Sequence, residues 1–330
     1  MPRPATRRRV LAAALASVAM LSACTGNADD GSNGTGASET PAVAVDAAGT
    51  ATNGAVAAVA SSLLDGSAGG APARDKAFTG AALESANAYA KTLGGRTAAE
   101  KAEAELSSSG AKVLGISREG DKPVQILAQT TLKKTGAAVL VLLVADSPGG
   151  PFKAAAVTPM LPDAKLDALD DADSGSASIA DAKGLAAKPD DVVAAFAGAV
   201  QYPSPVATKL LADDPLTQQL RQSATAQSQA LNNQGSFSQK HEPKGILGGL
   251  RLKDGQGAIV FAHLVRHDAI AMRTPMKLKP AKDLTLLTGI KQITTEADLT
   301  SNEIVAFVIP ASGQARVVAA ADQLVNGTGR

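Results

Sequence analysis

Residues Glu303–Ala321 read EIVAFVIPASGQARVVAAA. Glu303 to Ile309 is an apolar, largely β-branched run, and such a run bounded by turn residues has the pattern of a strand. Pro310-Ala311-Ser312-Gly313 punctuates it, and Ala315 to Ala321 returns. The same device stands at 139–157, VLVLLVADSPGGPFKAAAV. In each, an apolar strand meets a Pro/Gly/Ser turn, and a Lys or Arg opens an Ala/Val return strand. The copies lie about 165 residues apart, a spacing that points to an internal duplication.

Outward from these hairpins, both halves follow one order. In the first, helices are expected at Asn53–Leu64, Asp75–Leu93 and Ala98–Leu106. The middle one carries Phe78, Leu83, Ala86, Tyr89 and Leu93 at helical spacing, and Gly94-Gly95 should end it. Strands are expected at Lys112–Ser117, Val124–Leu132, Ala137–Ala145 and Phe152–Leu161; the second alternates with period two, and the third is apolar enough to be buried on both faces. In the second half, Asp190–Val200 has an acidic start suited to a helix N-terminus. Asp214-Pro215 marks the cap and first position of a helix to about Leu231. Strands follow, with Asp254-Gly255 as a hairpin turn. Helices first and antiparallel strands after them make an α+β layout. The expected organisation is two tandem helix-then-sheet domains, 45–169 and 189–326, joined by a small, polar linker at 170–188.

The N-terminus has its own logic. Arg3, Arg7, Arg8 and Arg9 make residues 1–9 basic, Val10 to Leu21 is uncharged and apolar, and Leu21-Ser22-Ala23-Cys24 follows. These are the zones of an export signal. The apolar run is shorter than the roughly 20 residues a membrane-spanning helix needs. Leu-Ser-Ala-Cys resembles the bacterial lipobox, which implies cleavage between Ala23 and Cys24 and a diacylglyceryl group on the Cys24 sulfur. Cys24 is the single cysteine of the chain. Residues 1–23 therefore read as a lipoprotein signal peptide, and 24–44, rich in Gly, Ser, Asn and Asp, as a flexible tether. Thr6-Arg7-Arg8-Arg9-Val10-Leu11 also resembles a twin-arginine signal, so the choice of export route stays open. The expected location is the extracytoplasmic face of the cell membrane.

Composition narrows the function. Removing residues 1–23 takes four arginines from the 32 Lys+Arg and leaves 28 against 31 Asp+Glu, a net charge of about −3. That excludes the basic field of nucleic-acid binding. Six Phe, two Tyr and no Trp cannot build a large aromatic stacking platform. With one cysteine there is no internal disulfide, so an aliphatic core must hold the fold.

The helix-then-sheet plan, applied twice, resembles the cone-like curved sheets of the ketosteroid-isomerase and nuclear-transport-factor superfamily. The Leu-Ser-Ala-Cys start, Ala212-Asp213-Asp214-Pro215 and the closing EIVAFVIPASGQARVVAAADQLV are similar to a family of actinobacterial lipoproteins carrying a domain of unknown function. That resemblance implies no activity.

Candidate chemistry is sparse. His263 and His267 have metal-ligand spacing for a helix, but they sit in AIVFAHLVRHDAIAM, which reads as a strand. Four residues there span about 13 Å, too far for one zinc. His241 reads as part of an exposed loop. Ser109-Gly110-Ala111-Lys112 with Lys134-Thr135-Gly136 mimics a penicillin-binding signature, yet the motifs lie too close together and no Ser-Asp-Asn accompanies them. Asp171-Ala172-Asp173-Ser174-Gly175 starts like a calcium loop but has Ala182 where a bidentate Glu belongs. Isomerase chemistry would need acid and Tyr donors in a deep apolar pocket, and Tyr89 and Tyr202 stand in helical or pre-strand regions. No catalytic residue, cofactor or metal is expected. The expected role is a non-catalytic scaffold or accessory for envelope protein partners; the alternative is a carrier of a small hydrophobic ligand or lipid.

Overall fold

In the computed structural model the described residues are 39–179 and 182–330. The expected signal peptide, Cys24 and the expected tether up to residue 38 lie outside them. Among the described residues no helix is long and apolar enough to cross a membrane.

The α+β plan is present twice. Helices α1 (Val45–Leu63), α2 (Ala71–Ala77), α3 (Gly80–Thr92) and α4 (Ala98–Glu103) precede strands β1 (Lys112–Ile116), β2 (Val124–Thr131), β3 (Ala138–Ala145) and β4 (Lys153–Pro159). Helices α5 (Pro189–Val200) and α6 (Pro215–Leu231) precede β5 (Gly235–Arg251), β6 (Gly257–Met272), β7 (Glu296–Pro310) and β8 (Arg316–Gly329). Each set of strands forms a four-stranded antiparallel meander in sequence order. The sequence pattern missed one helix, α7 (Lys282–Thr288), inserted between β6 and β7.

Local chemistry explains the ends. Asp214 caps α6: its Oδ1 accepts the Thr217 amide at 2.9 Å and its Oδ2 the Thr217 hydroxyl at 2.6 Å, with Pro215 at the first helical position. Because this cap is buried, Asp214→Ala is expected to cost about 1–2 kcal/mol in denaturant unfolding, the upper part of the usual range for a lost cap. Thr97 and Glu100 form a capping box on α4. Glu100 also takes the Lys282 ammonium at 2.7 Å, and Lys282, with the Thr97 groups, holds its pKa down at about 2. Asp254 and Gly255, with φ of 56° and 67°, turn β5 into β6 as the Asp-Gly pair requires.

Three expectations need amendment. The helix expected over 75–93 is two helices. Phe78 is extended and buried beside Ala154 of β4, Thr79 N donates to Ala154 O at 3.0 Å, and Gly80 takes φ of 55°. Burying Phe78 and pairing with the sheet edge outweigh helix continuation there. The end of the expected tether is bound to the fold: Pro41 bridges Arg118, Ala42 N donates to Ser117 O at 2.7 Å, and Val43 is buried. The segment expected as a linker, 170–188, is knit into both sheets through residues 176–178. Ser176 pairs with Ser117 at the β1 end, and Ser178 pairs with Leu250 of β5. The seam combines backbone bonds with side-chain ones: Asp170 N donates to Ser176 Oγ at 3.1 Å and Ser178 N to Asp121 Oδ2 at 3.0 Å.

The two sheets lie in one compact unit, Ser38–Arg330. Their shared core is aliphatic. Leu127, Leu140 and Leu142 of the first sheet meet Leu250, Ile259, Phe261, Ile304, Ala306 and Val308 of the second, with Val56 and Val59 of α1 alongside. On β6 and β7 the alternate residues Val260, Ala262, Val305, Phe307 and Ile309 point into a second core with Val192, Val193 and Phe196 of α5. The apolar stretch of EIVAFVI is continuous because both of its faces are covered.

Candidate functional site

On the N-terminal side of its apolar stretch β7 carries Ser301-Asn302-Glu303, all buried. Period two sends Ser301 and Glu303 to one face of the second sheet and Asn302 to the other. Each face carries a distinct polar feature.

On the first face an ionic cluster forms across all four strands. Arg266 lies opposite His241 on β5 and Ser301 on β7, and Glu303 lies opposite Asp322 on β8. The guanidinium meets Asp268 at 3.1 Å and Glu303 at 3.2 Å, and it also pairs with Asp322. His241 Nδ1 stands 2.6 Å from Glu303 Oε2, so beside an ionised Glu303 it is the nitrogen that donates. Gln239 Nε2 donates to Asp268 Oδ1 at 2.8 Å. Phe196 presents its ring edgewise to His241, with centroids 6.4 Å apart. Burial alone would lower the Arg266 pKa, but the carboxylates of Asp322, Asp268 and Glu303 outweigh it and hold the guanidinium above its ordinary value. Asp322 is raised above the usual Asp value, by desolvation first and by Glu303 and Asp268, against the opposing pull of Arg266. One guanidinium thus serves three carboxylates. Such an arrangement is costly if the guanidinium is lost, because the carboxylates are left uncompensated.

His241 therefore does not lie in an exposed loop. It belongs to β5 with its side chain fully buried. The Gln-Lys-His-Glu-Pro stretch reads as a loop because polar residues alternate outward on a strand whose inward positions also hold a histidine and a glutamine.

On the opposite face is a pocket of about 170 Å³. Leu63 of α1, Phe78, Ala82 and Ala86 of the α2–α3 region, Val157 of β4 and Ile304 of β7 supply an apolar wall. The hollow exists because Ala82 and Ala86, a turn apart on α3, leave room that a leucine would fill. Asn302 lines the same space and is fully engaged: its Nδ2 donates to Glu84 at 2.8 Å, and its Oδ1 lies 3.1 Å from His263 Nε2. Since that oxygen is the acceptor, His263 carries its proton on Nε2 in this pairing.

Tyr89 also lines the pocket. Its ring lies under the Arg96 guanidinium, 4.8 Å from the centroid, and Arg96 is tied to Thr92 at 2.9 Å and Asp283 at 3.0 Å. The Tyr89 hydroxyl is buried and has no hydrogen-bond partner among the described residues. Desolvation, first, raises its pKa above the ordinary phenol value, with Asp283 and Glu100 adding to this and Arg96 opposing it. Sequence reading placed Tyr89 on a helix but had no means of placing it beside β7 and β8.

The other candidate residues are dispersed. His263 and His267 both lie on β6 but serve different partners, Asn302 and, at 3.6 Å, Glu242. Lys112 opens β1, while Lys134 sits in the β2–β3 turn and pairs with Glu103 at 3.3 Å. Asp171 opens a turn and meets Lys253 at 3.3 Å. Tyr202 packs on Phe237, centroids 5.9 Å apart. Among the described residues no group of three acidic, His or Cys side chains is placed to hold a metal. Ala23 and Cys24 lie outside the described residues.

No curated protein and no solved structure matches the chain. A family model described as a domain of unknown function, DUF8094, matches residues 69–329 and so runs through both sheets, the ionic cluster and the pocket. The chain belongs to that family.

Proposed function

We propose that this protein is an extracytoplasmic lipoprotein, held to the membrane by a diacylglyceryl group on Cys24, that binds a small hydrophobic ligand and catalyses no reaction. The basic, apolar and Leu-Ser-Ala-Cys zones of residues 1–24 support the anchor, as does the similarity to actinobacterial lipoproteins. More than one buried chain makes such attachment lasting.

The pocket carries the binding half of the reading. A dry apolar cavity of about 150 Å³ accommodates benzene, so 170 Å³ in a pocket partly open to solvent takes one ring carrying a short substituent. It falls below the roughly 300 Å³ at which sites for drug-sized ligands begin, which favours a compact hydrophobe over a whole lipid. The scaffold reading has a narrower footing in Val206 and Leu210, large hydrophobic side chains left exposed before α6 among the described residues.

Intact mass spectrometry of the membrane-extracted protein tests both halves. The denatured mass is expected to equal residues 24–330 plus a diacylglyceryl group, and the native spectrum to carry an added small mass. An uncleaved or unlipidated chain overturns the anchor. A native spectrum holding only added protein masses favours the scaffold.

A further inference from the structure

The pocket's polar groups are unequally occupied. Asn302 is engaged at both ends of its amide, Gln323 Nε2 donates to Leu324 O, Asp322 pairs with Arg266, and Ser85 is only partly buried. Tyr89 differs: its hydroxyl is buried without a partner while its ring is fixed beneath Arg96. A buried donor left unmade is a standing cost to the fold, and it is relieved when an incoming molecule brings an acceptor. A phenol is better as donor than as acceptor, because ring conjugation withdraws its oxygen lone pairs. The raised pKa keeps that proton in place at neutral pH.

We propose that the pocket between α3 and the β7–β8 hairpin binds a compact apolar group bearing a carbonyl or ether oxygen, and that Tyr89 selects it by donating its hydroxyl proton to that oxygen. The wall of Ala82, Ala86, Phe78 and Ile304 recognises the apolar body, and Tyr89 sets which bodies are retained. This deepens the ligand-binding reading above and rests on it.

Acetophenone and isopropylbenzene have nearly the same shape, and only the first carries an acceptor. Their dissociation constants would be measured on the mature, lipidated protein in lipid nanodiscs, from the concentration dependence of its unfolding temperature. The wild-type protein is expected to bind acetophenone about tenfold tighter, the worth of one neutral hydrogen bond. Tyr89→Phe should abolish that preference while keeping isopropylbenzene binding. Ala86→Phe, which fills the hollow, should remove both; Ala104→Leu, at the pocket rim, replaces it if that variant does not fold. Equal binding of the two probes by the wild type, or a preference that survives in Tyr89→Phe, overturns the role of Tyr89 and leaves the ligand-binding reading intact. No binding of either probe by the wild type overturns both.

Discussion

Arg266→Ala is expected to lower the stability of the protein by about 3–5 kcal/mol at neutral pH, the cost of removing one partner from a buried ionic cluster. Arg266 is the guanidinium facing Asp268, Glu303 and Asp322, and the first two of these carboxylates are 8% and 5% exposed. Without it Asp322 keeps the desolvation and the neighbouring Glu303 and Asp268 charges that already raise its pKa, and loses the opposing pull of Arg266. A carboxylate with a raised folded pKa binds more protons folded than unfolded, so it costs stability above its unfolded value, about 4. The deficit of the variant should therefore be largest at pH 7 and shrink as the pH falls through the raised values. Urea unfolding at pH 7 and pH 4.5 measures this. A deficit equal at both values would assign the loss to packing of the Arg266 stem instead of its charge.

Phe261→Ala should cost a similar 3–5 kcal/mol, the range for emptying a fully buried aromatic site. Phe261 stands on the second sheet, yet its ring belongs to the core that also holds Leu127, Leu140 and Leu142 of the first. The wild type and the variant should each unfold in a single transition, seen coincidentally by helix and tertiary probes. Two separated transitions would show that the halves unfold independently, with the shared core weaker than the cores of its parts.

Much of the fold was legible because its periodicities are strong. The eight-residue apolar β3, the alternating β2, the Asp214-Pro215 start of α6 and the Asp254-Gly255 turn were each readable from a few neighbouring residues. The misreadings share a cause: pairing between distant segments overrode local preference. Phe78 leaves a helical pattern to bury itself beside β4, and Ser176 and Ser178, polar enough for a linker, bond the sheet edges. His241 carries loop-like neighbours and is buried. Little of the candidate site could be read. Arg266 and Asp268 alternate within an aliphatic strand, a period-two signal that two inward charges share one face. Nothing in the sequence shows that Glu303 and Asp322 complete their neutralisation.

The sequence by itself determined the order of most elements, the repeated hairpin device, the aliphatic character of the core and the near-balance of charge, since these follow from residue type and short-range spacing. Only the tertiary structure decided that both sheets bury one another, that one arginine serves three carboxylates, and that Tyr89 closes a pocket with an unpartnered hydroxyl. Those outcomes depend on register between strands and on packing between elements far apart in the chain, where chain entropy is offset only by the completed core.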